Sequence, residues 1–244
     1  MRPGSWAPDS FLGRLTPAER DALLARGRYV TYQSGQTLLT NGDRGGAFVI
    51  LMLSGHAKVV TQGENGNDYL IGIRTSGSLL GEMSFFDGRP RSASVVAIDE
   101  VRTNAVANDK LELYLRDHPR VGLEIARVLV ARLRIADASS RDLRNDPVPL
   151  RVAKLLATLS GEFDGGPIPL SQAELAQLAN AAEVTVNRTL REFRAQRVVR
   201  TRYRQLVVPC PVCLDRMVAA VAADPKGGAK GVVGCGGTQT HRSQ

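Results

Sequence analysis

The chain has 244 residues, 43% hydrophobic and 23% charged, with a formal net charge of +8 at pH 7 and a pI near 9.9. That is enough chain for one large domain or two ordinary ones with real cores, and no stretch approaches the roughly 20 apolar residues a membrane-spanning helix requires. The first fifteen residues, MRPGSWAPDSFLGRL, lack the apolar centre of a secretion signal, so the expected setting is the cytoplasm, and the basic balance favours a polyanionic partner.

In chain order, TPAERDALLAR (16–26) sets a Thr before a Pro at the first helical position, then acids, then Leu23 and Leu24, and predicts a short helix. Between Tyr29 and Val106, short runs such as FVILMLSG, HAKVVTQ, DYLIGIR and SVVAI alternate with NGDRGG, GENGND, SG and DGRP. Even spacing, β-branched enrichment and Gly/Asn/Asp punctuation predict an antiparallel sandwich or barrel. GENGND is the strongest hairpin turn, because Asn-Gly accepts positive φ. After Asn108 the period becomes helical. Gly122, Ala126, Leu129, Leu133, Ala136 and Ser140 fall at alternating spacings of four and three. Such a heptad seam on a long helix predicts a dimer interface, although RVLVARL is apolar on more than one side and also suits packing on the β region alone.

NDPVP (145–149) breaks the chain and reads as a hinge. LRVAKLLATLSGEF is a helix ended by Gly and Pro. SQAELAQLAN is a second, with Ser171 as N-cap and Glu174 three residues on as its capping-box partner, and AAEVTVNRTLREFRAQR is a third. VVRTRYRQLVV reads as two short strands around a basic turn. The stretch 210–244, rich in Ala and Gly, is expected to be disordered apart from a short helix at CLDRMVAAVAA.

Two helices joined by a short turn and followed by a β hairpin suggest a winged helix-turn-helix. The turn falls at NAAE, where Asn180 can take the left-handed conformation. Polar residues opening the next helix (Glu183, Thr185, Asn187, Arg188) would face a major groove while Val186, Leu190 and Phe193 hold the helix down. Arg188, Arg191 and Arg194 put positive charge along one side, and seven arginines against two acids lie between Glu183 and Pro209. Ser171, Gln172, Arg202 and Arg204 complete the expected DNA-contacting set, suited to phosphates and guanine edges.

GEMSFFDGRPRSAS (81–94) carries an acid at one end and an arginine beside small hydroxyl residues at the other. A buried monoanion needs a fixed cation and several donors; an arginine supplies a fork, a helix start supplies backbone N–H groups, and Gly permits close approach. With this stretch, the chain from about residue 15 to about residue 209 resembles the CRP/FNR family of bacterial transcription regulators. The resemblance implies an α+β fold: an N-terminal antiparallel, jelly-roll-like β-roll sensor domain (1–108), a dimerisation helix and hinge (109–146), a winged helix-turn-helix (147–209) and a tail (210–244). It implies a cyclic-nucleotide cassette of Gly81, Glu82, Met83, Ser84, Arg91, Ser92 and Ala93, in which Glu82 accepts the ribose 2′-hydroxyl while Arg91 and Ser92 bind the cyclic phosphate. Cyclic-AMP-sensing relatives read the adenine amino group with a Thr-Ser pair; Ala136 and Asp137 stand there in this chain. Aspartate accepts from the adenine amino group, or takes two hydrogen bonds from guanine, so cAMP and cGMP both remain open. Where relatives often carry an Arg-Glu pair this chain has Glu183 and Val184, so the family's usual operator is not expected.

The expected protein is a homodimeric, non-enzymatic regulator that binds dyad-symmetric double-stranded DNA, works with RNA polymerase, and is controlled by a cyclic nucleotide. The alternatives are a regulator of the same fold that acts without nucleotide, or a cyclic-nucleotide regulatory subunit that does not bind DNA. An iron–sulfur cluster needs four thiolates near the β region, and the three cysteines (Cys210, Cys213, Cys235) all come later. CPVC with Cys235 and His241 is a poor zinc set, so no metal is expected and the thiols read as reduced and non-functional. His56, alone in the β region, reads as an exposed or packed side chain rather than a haem ligand.

Overall fold

The computed structural model describes residues 6–44, 47–63 and 68–223, and the chain divides at Asp137/Ala138 into two compact units. The first unit opens with α1 (Phe11–Arg14), capped by Ser10, and α2 (Pro17–Leu24). Thr16 caps α2: its hydroxyl accepts the Glu19 N–H at 3.3 Å while Glu19 Oε2 accepts the Thr16 N–H at 2.8 Å. Eight strands follow: β1 (Arg28–Tyr32), β2 (Thr37–Leu39), β3 (Phe48–Ser54), β4 (His56–Gln62), β5 (Asp68–Thr75), β6 (Leu79–Leu80), β7 (Ser94–Ala97) and β8 (Val101–Ala107), with α3 (Glu82–Asp87) between β6 and β7. They form two antiparallel four-stranded sheets, β1-β8-β3-β6 and β2-β7-β4-β5. The β4–β5 pair is antiparallel as expected, while most of the expected GENGND turn lies outside the described residues.

The unbroken apolar run of β3 has a physical reason. Side chains alternate across a strand, so Ile50 and Met52 join Leu38, Leu39, Val59, Leu80, Val95 and Val101 in one core. Val49 and Leu51 join Leu79, Val106 and the helical residues Phe11, Leu12, Leu23, Leu111, Tyr114, Val121 and Ile125 in another. A strand apolar on both faces needs both covered, and helices cover the second. These include α4 (Asn108–Asp117) and α5 (Pro119–Asn145), separated at His118 where Pro119 starts a new helix.

The seam on α5 is displaced from the one expected. Val121, Glu124 and Ile125 are buried, and Val128 and Leu129 pack against the helix-covered core. The exposed apolar residues at heptad spacing are Leu123, Val130 and Leu133, with Ala126 between them. Leu129, placed in the expected seam, faces the unit's own core instead, because α5 has two apolar faces and the β unit takes one. By the same spacing Asp137 continues the exposed stripe.

In the second unit, α6 (Val148–Glu162), α7 (Gln172–Leu178) and α8 (Glu183–Ala195) precede a hairpin of β9 (Arg200–Arg202) and β10 (Gln205–Val207), which a bridge at Ile168–Leu206 extends. The expected hinge is a helix break in which Pro147 caps α6, but side chains cross it. Lys154 Nζ lies 3.1 Å from Asp142 Oδ2 and 2.6 Å from Asp146 Oδ2. Within the stretch 210–244, the short helix expected at CLDRMVAAVAA is observed as α9 (Pro211–Ala223), which lies against α6 with Cys213, Leu214 and Met217 buried. Three apolar residues at helical spacing suffice to hold it, because a neighbouring helix offers a face to cover. The rest of that stretch, with Cys235 and His241, lies outside the described residues. Among the described residues no helix is long and apolar enough to cross a membrane.

Candidate functional site

The cassette is built on a left-handed glycine. Gly81 follows β6 with φ +80 and caps α3, and a Cβ placed there would sit 2.3 Å from Arg91 Nη1. Only glycine gives both the turn and the room. Gly88, at φ +65, ends α3 and the chain returns through Pro90 to Arg91. The Arg91 side chain is buried. Its Nη1 donates to the Gly81 carbonyl at 2.7 Å, its Nη2 donates to the Phe48 carbonyl, and the guanidinium lies 5.6 Å from the Phe48 ring centroid. Its Nε is buried with no hydrogen-bond partner. Burial pulls the Arg91 pKa down from the usual arginine value, against the opposing charges of Asp43 and Glu82.

Glu82, only 5% exposed, is ion-paired with Arg132 of α5, and Arg132 Nη2 also donates to the Leu79 carbonyl at 2.9 Å. Sequence reasoning missed Arg132. The available signal was its position one helical turn before Ala136, the spacing at which two residues share a helix face. The structure thus brings Gly81, Glu82 and Arg91 together and adds Arg132. Met83 is exposed, and Ser92 Oγ lies 3.8 Å from its sulfur. Ser84 is half-buried, with its carbonyl accepting the Gly88 N–H at 3.1 Å, and Ala93 packs against the core between the sheets. Ala136 and Asp137 are exposed on α5. His56 Nδ1 lies 2.6 Å from Asp99 Oδ2, which commits the ring to a neighbouring carboxylate.

In the second unit, Ser171 and Glu174 form a reciprocal capping box, with Ser171 N–H to Glu174 Oε2 at 2.8 Å and Glu174 N–H to Ser171 Oγ at 3.1 Å. Gln172 opens α7. Asn180 sits in the left-handed region at φ +46, as its short polar side chain allows. Val186, Thr189, Leu190 and Phe193 are the buried face of α8, and Val184, Arg188 and Arg191 stand outermost on the other side. Glu183 is exposed, Thr185 lies half-buried at the flank, and Asn187 is also half-buried with a buried Oδ1. Asn187 is therefore less available than expected, since its spacing from Val186 and Leu190 turns it toward the domain. Val184, noted with Glu183 where relatives often carry an Arg-Glu pair but not placed in the expected DNA-contacting set, is 81% exposed.

Arg194, exposed on α8, donates from Nη1 to Thr201 Oγ1 at 3.1 Å and so ties α8 to the hairpin. Arg202 is exposed on β9, and Arg204, at φ +49, lies 3.7 Å from Glu174. Arg151 of α6 holds the turn before α8. Its Nε donates to the Ala179 carbonyl at 3.1 Å, Nη2 to the Asn180 carbonyl at 3.1 Å and Nη1 to the Asp146 carbonyl at 2.8 Å.

Comparison with known proteins agrees with both halves. Residues 29–118 match the family described as Cyclic nucleotide-binding domain, and residues 150–217 match the Crp-like helix-turn-helix domain, which reaches into α9. The chain is similar to a CRP-like cAMP-activated global transcriptional regulator of Mycobacterium tuberculosis, at 34% identity over 72% of this chain and 82% of the relative. It is also similar to the cyclic AMP receptor protein of Thermus thermophilus, at 31% identity over 76% and 86%. Among solved structures, the fold is shared with the c-di-GMP responsive global regulator CLP of Xanthomonas campestris, with TM-score 0.69 and 20% identity over 79% of this chain and 99% of that one. TTHA1359, a CRP/FNR-family regulator of Thermus thermophilus, matches with TM-score 0.67 and 19% identity over 79% and 98%. The sensor-like β unit and the helix-turn-helix unit stand in one chain in the order those regulators carry them, and none of this describes an enzyme. The chain belongs to the CRP/FNR family of transcription regulators.

Proposed function

We propose that the chain acts as a homodimer on a dyad-symmetric duplex site, with a cyclic nucleotide in the 81–93 cassette as its effector. The observation that carries this reading is Arg91, a buried guanidinium whose Nε has no protein partner, beside the buried carboxylate of Glu82. A buried donor without an acceptor is costly, and a cyclic phosphate is an anion that would fill it. Ser92 then adds a hydroxyl to the phosphate, and Glu82 accepts from the ribose. Because Glu82 is already held by Arg132, a sugar hydroxyl on Glu82 competes with or reorients a residue of α5. The effector thereby biases the helix that carries the exposed Leu123–Val130–Leu133 stripe. That stripe, needing cover, supports the dimer.

Ala136 lies one turn beyond Arg132, where a base would follow the sugar, and offers no hydrogen-bonding group. Asp137, on the stripe, would come to a base from the partner copy. The cAMP-activated regulator of Mycobacterium tuberculosis and the cyclic AMP receptor protein of Thermus thermophilus favour cAMP. The two acceptor oxygens of Asp137 support cGMP as a second reading. On DNA, Arg188 and Arg191 would meet guanine edges or phosphates, with Arg202 at the wing, and Val184 would meet a thymine methyl. The setting is the cytoplasm, with RNA polymerase as a further partner. The test is isothermal titration of the full chain with cAMP and with cGMP, followed by binding to duplexes selected from a random pool with and without each nucleotide. Saturable binding of either nucleotide that changes duplex affinity supports the effector reading. Duplex binding indifferent to both would leave a regulator that acts without nucleotide, and no duplex binding would leave a regulatory subunit.

A further inference from the structure

The CPVC stretch is not used by either proposed binding surface, and its placement is informative. Cys210 directly precedes α9, and its sulfur accepts the Cys213 backbone N–H at 3.3 Å. Cys210 is half-buried, whereas Cys213 is only 2% exposed and sits with Leu214 and Met217 in the buried face of α9. Helix starts favour Ser, Thr, Asp or Asn at this position, since an oxygen caps better than sulfur, so helix stability does not account for Cys210. Pro211, at the first helical position, fixes the backbone between the two thiols. Residues three apart on a helical turn are neighbours on one face, and the 3.3 Å contact from the Cys213 N–H holds the Cys210 sulfur over the turn that carries Cys213.

We propose that Cys210 and Cys213 are a reversible dithiol–disulfide site, with Cys210 the attacking thiol and Cys213 the resolving one. The co-reactant is a low-molecular-weight disulfide of the glutathione class. The Cys210 thiolate attacks one sulfur of that disulfide, expelling one small thiolate and forming a mixed disulfide. The Cys213 thiolate then attacks the Cys210 sulfur and expels the second. Two cysteine S–H bonds are lost, one S–S bond forms in the protein, and the protons end on two small-molecule thiols, so the protein is oxidised by two electrons and the small disulfide is reduced. Oxidation replaces the sulfur cap at the start of α9 with a covalent staple. The two thiols need neither nucleotide nor DNA for this exchange.

The experiment uses the full chain carrying Cys235→Ser, so that Cys210 and Cys213 are the remaining thiols. The protein is equilibrated with a chelator in glutathione buffers of graded potential, acid-quenched, alkylated under denaturing conditions and weighed intact. The expected result is one transition from a doubly alkylated protein to a species that takes no label and is two hydrogens lighter than the unalkylated dithiol, reversed by dithiothreitol. Adding Cys213→Ala should halt the reaction at a glutathione adduct on Cys210. A protein still doubly alkylated in the most oxidising buffer would overturn the proposal. So would a Cys235→Ser protein that accumulates the adduct without proceeding to the lighter form, because Cys213 would then not resolve.

Discussion

Arg91 and Glu82 are the two buried charges of the cassette, and they differ in how fully the protein satisfies them. Glu82 has Arg132; Arg91 has two carbonyls and an orphaned Nε. If the anion completes Arg91, Arg91→Gln should weaken cyclic-nucleotide binding by about 10–100-fold, the worth of a charge-assisted contact. Arg91→Lys should not restore it, because the fork is lost; calorimetry reads both. Glu19 carries a separate expectation. The Arg120 guanidinium, with Nε 2.7 Å from Oε1, holds its carboxyl down to about 2 from 4.5. A depressed folded pKa means a stability contribution present above the unfolded value of 4.5 and lost as pH falls toward about 2. Urea midpoints measured across that window should fall less steeply in Glu19→Gln than in the parent chain. Both charges of the cassette were legible because Gly-Glu and Arg-Ser-Ala are contiguous in sequence. Arg132 was not, since its partner lies fifty positions upstream, and only the folded sheet brings them together.

The elements of the chain were read more reliably where the signal was local. The capping box at Ser171, the left-handed Asn180 and the apolar run of β3 all rest on neighbours within a few residues. The register of the α5 seam failed because two apolar faces share one helix, and periodicity alone does not say which of them the β unit takes. The outward stripe gives a direct expectation: Leu133→Glu should shift the protein to monomers at micromolar concentration in sedimentation velocity, while leaving the circular dichroism spectrum unchanged. Arg151 gives another. Its removal as Arg151→Met leaves the carbonyls of Asp146, Ala179 and Asn180 without their donor. The expected cost is about 1–3 kcal/mol in chemical denaturation, with weaker duplex binding because the turn before α8 loses its support. Tail helix α9 was legible from its own apolar residues, but its packing on α6 was not, since burial depends on what lies opposite.

At the scale of the whole molecule, the net charge of +8 gains meaning from where the arginines point. Arg188 and Arg191 are on the outer face of α8, but Arg194 and Arg204 are engaged with Thr201 and Glu174. Duplex affinity should fall linearly with the logarithm of salt. Arg191→Gln should reduce that slope by about 1 if it meets a phosphate, whereas Arg194→Gln should act through the hairpin and leave the slope unchanged; fluorescence anisotropy at four salt concentrations separates the two. Strand β3 has a consequence of its own. As the shared wall of two apolar interiors, it gives the cassette side and the α5 side of the first unit no independent way to melt. Heat should therefore take the β sheets and the opening turns of α5 through one cooperative calorimetric transition. A cavity cut at Ile50, on the side away from α5, should lower the melting temperature of that helix as much as one cut at Leu51.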